Sequence, residues 1–389
     1  MYNNLSGKRI ISIDAFRGIT ILLMVFVNEL AGIRDIPFWM KHMSADADAM
    51  SFVDVVFPAF LFIAGMSIPF ALHRRLTNNP ERSKLQKYIL WRVLGLLCFG
   101  FFMVNGESSG PHNMVLPIYV WSLLFYFFAI MVWQVYRVKD RKWVWSLRGI
   151  GLAGLLFLAL IYRGGHDGDH FITPRWWGIL GLIGWAYLFS CSFYQLSRGR
   201  VVPLLLFIAL CTVLFALTKY YGWYDFPAKN GTHISVMLSG IIVSILLFDE
   251  KVVSTVNRRM LRVAGLALLF GVAAFFLRPL FPISKIYATP SWGFYSAASC
   301  CLLFLLFYQV IDIKGKKGWT RFFQPAAENP LLTYLIPDII FALVMIFHIR
   351  LFPAKWSYGV PGMLWSAAFA IGVMFIAKGL NKLHVRLQL

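Results

Sequence analysis

Acidic residues are scarce in this chain of 389 residues: 17 Asp and Glu stand against 37 Lys and Arg. Charged residues of both signs make up only 14%, against about 25% in an ordinary soluble protein. That shortage excludes a set of soluble domains, whose surfaces need charge, and it excludes a disordered chain, which needs still more. Cysteine is also rare. The five Cys (Cys98, Cys191, Cys211, Cys300 and Cys301) all fall inside apolar runs, so they read as small packing residues and not as a disulfide framework or a metal set. What fills the space is apolar: 59% of the chain, with 36 Phe and 14 Trp. The composition is that of an integral membrane protein.

Apolar runs near 20 residues long read as transmembrane helices. About twelve are expected, over 10–32, 52–72, 88–106, 115–136, 143–162, 177–197, 201–221, 233–249, 259–277, 292–311, 330–350 and 360–380. The short connections between the fifth and eighth leave a range of ten to twelve. The fold class is therefore all-α, a polytopic helical bundle. Counting Lys and Arg in alternate loops places 27 on the side of both termini and 10 on the other. Positive charge accumulates in cytoplasmic loops, so both termini are expected in the cytoplasm. The same asymmetry accounts for the net charge of +20 without nucleic acid as a partner. The first run is longer than the apolar core of a signal peptide and no A-x-A site follows it, so it is expected to be a signal anchor.

Ionisable groups in hydrocarbon mark functional candidates. Asp14 and Arg17 are three residues apart on the first span, and Asn28 lies about three turns further along the same stripe. The Asp14–Arg17 pair reads either as a structural lock on the helix start or as part of a site. The following loop contains Phe38, Trp39, Lys41, His42, Asp46 and Asp48, and Asp54 opens the next span. Asp54, Pro58, Gly65 and Pro69 share one face of that span, where Gly and Pro permit close approach and kinking. His is the side chain suited to proton transfer near neutrality, although a loop His is also commonly just solvated.

The runs Ser12-Ile13-Asp14-Ala15-Phe16-Arg17-Gly18, Leu23 to Asn28, Lys41-His42 and Asp54 to Ile68 resemble the heparan-α-glucosaminide N-acetyltransferase family, transmembrane acetyltransferases of the lysosome with bacterial relatives. Phe281 to Lys285, Ile311 to Gly315, Trp319-Thr320, Phe322-Phe323 and Glu328 to Tyr334 resemble the same family's later segments. The likeness covers about 8–75 and 278–380; the middle shares hydropathy only. It implies a single transmembrane acyltransferase domain over 1–389, acetyl-CoA as donor, no metal, and an amino sugar or glycan end as acceptor on the far side of the bilayer. It also implies a homodimer, and placement in a bacterial inner membrane for a bacterial host. By resemblance His42 is the key His, Asn28 its Asn partner and Asp54 the Asp of the next helix; Asp14 and Arg17 match cytoplasmic residues on the donor side, and Asn329 joins them as a donor-binding candidate. Met43 to Asp48 hold neither the Trp nor the Gly that many relatives carry there, and the family's large luminal N-terminal domain is expected to be lacking. Both features leave the acceptor open.

Asp46 and Asp48 are candidates for an acceptor ammonium, and Lys285, Tyr287 and Trp292 for the acceptor entrance or an aromatic belt. Asn329-Pro330 also reads as a helix cap, with Asp338 an intramembrane carboxylate two turns inward. Gly178, Gly181 and Gly184 suggest close helix packing. The stretch Gly164 to His170, including His166, has metal-ligand residue types but no named spacing. Asn230-Gly231-Thr232 is a glycosylation sequon. A secondary transporter of amino sugars or organic anions is the alternative function, although no repeat between the two halves supports it.

Overall fold

The computed structural model describes residues 9–79, 81–107, 114–138, 140–165, 168–222, 228–250, 255–349 and 354–387. Helices dominate in the order α1 (Ile11–Leu30), α2 (Val53–Asn78), α3 (Arg82–Gly106), α4 (Ile118–Trp133), α5 (Arg141–Ile161), α6 (Gly178–Leu196), α7 (Val201–Tyr220), α8 (Ala228–Phe248), α9 (Val256–Leu277), α10 (Pro290–Tyr308), a short α11 (Gln324–Glu328), α12 (Pro330–Ile346) and α13 (Gly359–Lys382). Ten helices are long and apolar enough to cross a membrane, and α4 and α12 are shorter apolar helices. The twelve expected runs each coincide with one of these. The chain is a polytopic helical membrane protein, as the composition implied.

The helices sort by which face they bury. α8 is buried nearly all round, whereas α5, α7 and α9 bury less than a third of their apolar length. The outward faces of those three carry Leu156, Phe157, Leu206, Leu210, Leu268 and Phe276, all exposed. Large apolar side chains exposed over whole helix faces suit a lipid solvent, in which apolar exposure carries no cost. α8 and α2 form the centre. A small second cluster of Val25, Ile336, Ala370, Val373 and Ala377 joins α1 to α12 and α13.

Contact between α2 and α8 is backbone to backbone. A Cβ on Gly65 of α2 would run into the carbonyl of Met237, and one on Gly240 of α8 into the carbonyl of Phe62. Gly65 shares its buried face with Asp54, Pro58 and Pro69, as their spacing predicted. The expected glycine face of α6 has the same role against α3: Gly178 and Gly181 lie on Gly100, and Gly184 on Leu96. Without a hydrophobic drive between helices in lipid, such close approach is what holds a bundle together.

The start of α1 is capped from far along the chain. The backbone N–H groups of Ile11 and Ser12 donate to the carboxylate of Asp312, at 3.3 and 3.2 Å. Asp312 lies in a π-turn, Gln309–Ile313, that continues α10. The extra residue of a π-turn re-aims the side chains around it. Gly18 then lets α1 pack on the backbone of Phe323, beside α11.

Replacing Gly65 by Leu is expected to destabilise the bundle by about 1–3 kcal/mol or more, as overpacking does. Gly265 of α9 faces open space, with no neighbouring atom within 4 Å of the point a Cβ would occupy, so Gly265→Leu is expected to be neutral. Thermal unfolding of both variants in detergent checks the contrast, and equal melting temperatures would contradict it.

Candidate active site

Two groups of polar side chains stand at opposite ends of α1 and α2. The first gathers on the loop between those helices. The imidazole Nδ1 of His42 is 2.7 Å from Oδ1 of Asp54, the second residue of α2. The side chain of Asp54 is 1% exposed and that of His42 is 37% exposed. The carboxylate is thus buried and the ring partly open. Asp54 also accepts from the backbone N–H of Ser51 (3.1 Å) and of Met43 (3.3 Å). Its backbone carbonyl accepts from the indole N–H of Trp292, at 3.1 Å. With Nδ1–H donating to Asp54, the lone pair of His42 is left on Nε2.

Lys285 comes to the same ring from the loop before α10. Its Nζ is 3.1 Å from Nδ1 and 3.2 Å from Nε2 of His42. Asp48 brings the two loops together. Its carboxylate accepts from Nε of Arg278 (3.0 Å) and from the N–H of Ile283 (2.8 Å), and those bonds, the Ile283 amide first, hold its pKa below the ordinary value. Thr289 and Ser284 close the Lys285 loop with reciprocal bonds, Ser284 N–H to Thr289 Oγ1 and Thr289 N–H to the Ser284 carbonyl, both 3.0 Å. Burial lowers the pKa of Lys285 to about 8, with Asp54 pulling the other way.

The second group lies at the basic end. Arg17 donates to Asp14 (3.2 Å), to Oγ of Ser67 (2.7 Å) and to the carbonyl of Ala327 (3.4 Å), and Asp14 also accepts from Arg9 at 2.6 Å. Arg17 opens onto a cavity of about 320 Å³ between α1, α2, α3, α6 and α12. Arg92 lines it as well, its guanidinium 4.5 Å from the centre of the Tyr187 ring and its Nη1 donating to Tyr88. Tyr334 of α12 lines it too. A smaller cleft of about 250 Å³, lined by Arg9, Lys317, Arg321 and Asp14, opens beside the first.

A sequence profile described as a domain of unknown function, DUF5009, matches residues 9–169. The mouse heparan-alpha-glucosaminide N-acetyltransferase is 26% identical over 381 residues, covering 86% of this chain and 54% of the mouse protein. The human protein of the same name is 39% identical over 98 residues, 25% of this chain and 14% of its own length. These matches support the resemblance to that family. The chain spans about half the length of the mouse relative it matches.

Of the expected site residues, the structure joins His42, Asp54 and Lys285 into one cluster, and Asp14 and Arg17 into another. Others have different work. Asn28 is exposed near the end of α1, and the ring of His42 is held by Asp54. Trp292 is fully buried and supports the Asp54 backbone, so it is neither an entrance residue nor a belt anchor. Asp48 is a loop clamp whose carboxylate is already occupied; Asp46 is exposed. Asn329 is 1% exposed. Its amide donates to Asn381 and to the carbonyl of Val385 and accepts from Leu387 N–H, so it anchors the C-terminal segment and has nothing left for a donor. The sequon Asn230 is buried inside α8 and is closed to glycosylation. In the 164–170 stretch, His166 and Asp167 lie outside the described residues; His170 is exposed and pairs by its backbone with Gly164.

Arg92 is the residue that escapes a reading of the sequence. A count of basic residues by loop places it with the topology charges, yet it sits on α3 well beyond the helix start. Its position inside the expected run 88–106 is the available signal.

With a pKa of about 8, Lys285 becomes half neutral at a pH well below that of an ordinary Lys, about 10.4. Pulse acylation read by mass spectrometry is expected to label it with a midpoint of about pH 8. Asp54→Asn removes the charge that holds the proton on, so the midpoint is expected to move down. A wild-type midpoint like that of exposed lysines, or an upward move, would overturn this electrostatic reading.

Proposed function

We propose that this protein is a transmembrane acetyltransferase that carries an acetyl group from acetyl-CoA, entering at the basic cytosolic end, to an amino group presented at the His42 end. The observation that carries the reading is the pair of polar groups at opposite ends of α1 and α2. A cavity lined by Arg17, Arg92 and Tyr334 lies toward one end, and the His42–Asp54 pair stands at the other. Arg17 and Asn28 are separated by roughly 16 Å at 1.5 Å per residue, which is a distance for a thin, extended donor arm and not for a soluble-type pocket.

Arginine suits phosphate, because its planar fork offers several donors to an anion. Arg17 and Arg92 at the cavity, with Arg9, Lys317 and Arg321 in the cleft beside it, form a cationic face for the nucleotide end of the donor. At the opposite end, Nε2 of His42 accepts a proton from the acceptor amine as its nitrogen attacks the thioester carbonyl. The C–N bond forms, the C–S bond breaks, and the thiolate takes up a proton. Asp54 holds the ring in the required tautomer and stabilises the imidazolium. Asn28, on the same stripe of α1 as Arg17, is the amide we assign to the developing oxyanion. Direct transfer and an acetyl-His42 intermediate use the same atoms.

The test is transfer in sealed liposomes holding purified protein, with labelled acetyl-CoA on one side and glucosamine or other amines on the other. Acetylated acceptor in the opposite compartment supports the enzyme; acceptor that crosses unmodified supports a transporter instead. His42→Ala is expected to lower transfer by about 100- to 10,000-fold, the usual range for a lost general base, with the fold intact by thermal unfolding. Full activity in that variant would sink the assignment. Arg92→Gln is expected to raise KM for acetyl-CoA about tenfold or more, the worth of a charge-assisted bond, with the acceptor KM unchanged.

A further inference from the structure

Lys285 stands against His42 in a way that an ordinary hydrogen bond to a lone pair does not explain. Its Nζ is 3.1 Å from Nδ1 and 3.2 Å from Nε2 of the ring. Within the ring plane, an atom at those two distances would collide with the carbon between the nitrogens, so Nζ lies over the ring face. Nδ1 is committed to Asp54 at 2.7 Å, and the in-plane lone pair of Nε2 stays free. Lys285 makes no salt bridge among the described residues. Its loop is pinned on both sides, by Asp48 on the Ile283 N–H and by the bonds between Ser284 and Thr289. The fold holds this amine at the ring without giving it a carboxylate of its own.

That position has a chemical meaning. Nε2 is the atom on which an acetyl-His42 intermediate would carry its acetyl group. An acyl group on Nε2 conjugates with the imidazole and lies in its plane. A nucleophile therefore meets the carbonyl carbon from above or below the ring, and alignment of this kind is what makes a held group reactive. Nζ waits on one of those two sides. Burial lowers the Lys285 pKa to about 8, so near neutrality far more of it is the free, nucleophilic amine than of an ordinary Lys, at about 10.4. An external amine needs the same approach, which makes Lys285 its internal competitor.

We propose that Nζ of Lys285 is a self-acetylation site, modified through His42 when the acetyl donor is present and no external amine is bound, and that the modification shuts the site down. The assignment rests on the acetyltransferase reading and on its acetyl-His42 branch. Nε2 attacks the thioester carbonyl of acetyl-CoA; the N–C bond forms, the C–S bond breaks, and the thiolate takes up a proton from water. Neutral Nζ then attacks the acetyl carbon. The Nζ–C bond forms, the Nε2–C bond breaks with its electron pair returning to Nε2, and Nζ gives up one proton to water. The product is an amide, which does not return its acetyl group to imidazole. Its added carbonyl and methyl stay at the ring beside Nε2, in the space that the next acetyl group needs.

The purified full chain in detergent is incubated with labelled acetyl-CoA and no acceptor, and acetyl occupancy is read by peptide mass spectrometry. Lys41, exposed on the loop that bears His42, is the internal control. Lys285 is expected to be acetylated about tenfold or more faster than Lys41, because a held amine reacts as an intramolecular partner. His42→Ala is expected to bring Lys285 down to the rate of Lys41, while N-hydroxysuccinimide acetate, which needs no carrier, still labels Lys285 in that variant. Preincubation with acetyl-CoA alone is expected to erode wild-type transfer to glucosamine in step with Lys285 acetylation. Lys285→Arg, which keeps the cation and is no nucleophile, is expected to hold its own starting rate. Labelling no faster than Lys41 in protein that does transfer acetyl groups in liposomes overturns the inference and leaves the transfer reading standing. Lys285 labelling that survives His42→Ala, or equal erosion of Lys285→Arg, also overturns it. Acetylation of Lys285 that needs His42, without transfer to any amine in liposomes, leaves the site standing and overturns the transfer reading; neither event overturns both.

Discussion

A carboxylate at the buried end of an apolar helix must be hydrogen-bonded or it will not stay ionised there. Asp54 meets that requirement with the N–H groups of Ser51 and Met43 and the ring of His42, and the rest of the site follows from it. Satisfying Asp54 folds the loop before α2 back over its own helix start. That places His42 above the helix end with one ring nitrogen committed and the other open. Trp292 bonds the Asp54 carbonyl and so fixes α10 beside α2, which delivers the Lys285 loop to the same ring. Remove the carboxylate and the loop, the ring tautomer and the Lys285 environment all lose their reference point.

Much of the fold was legible in sequence because lipid imposes one rule: apolar runs of sufficient length become helices that satisfy their own backbone. Each of the twelve runs is a helix. The same rule hides what decides a site. By residue type alone, Trp292, Asp48 and Asn329 read as a surface aromatic, a free carboxylate and a free amide. Their partners, the Asp54 carbonyl, Arg278 and the C-terminal segment, come from elements more than 50 residues away in each case. Nothing in local spacing encodes such pairings. His42 and Asp54 were legible because only a short loop separates them, and Asp14 and Arg17 because they share a helical face. Arg92 was hidden by its residue type: a lone Arg near the edge of an apolar run counts as a topology signal unless its partners are aromatic rings, and sequence does not display those.

The bundle divides labour between helices that bury everything and helices that bury little. α8 touches α2 through paired glycines and carries no part of either polar group. α5, α7 and α9 present Leu and Phe outward. The proposed function is left to α1, α2, α3 and α12, the helices whose apolar faces are interrupted by Arg17, Asp54, Arg92 and Tyr334. α12 carries a proline, Pro337, within its helix, as α2 carries Pro58 and Pro69. Two of the helices that border the arginine cavity therefore interrupt their own hydrogen bonding.

The cap that Asp312 places on α1 has a consequence for how the molecule is made. The bonds join residues 300 and 301 positions apart in sequence. The helix bearing Arg17 and Asn28 is the first of these to leave the ribosome, yet the group that satisfies its leading amides arrives only after ten helices have been synthesised. Loop closure over such a span comes late. Until then α1 stands in the membrane with an uncapped start, and the arginine end of the path is assembled last although its sequence comes first.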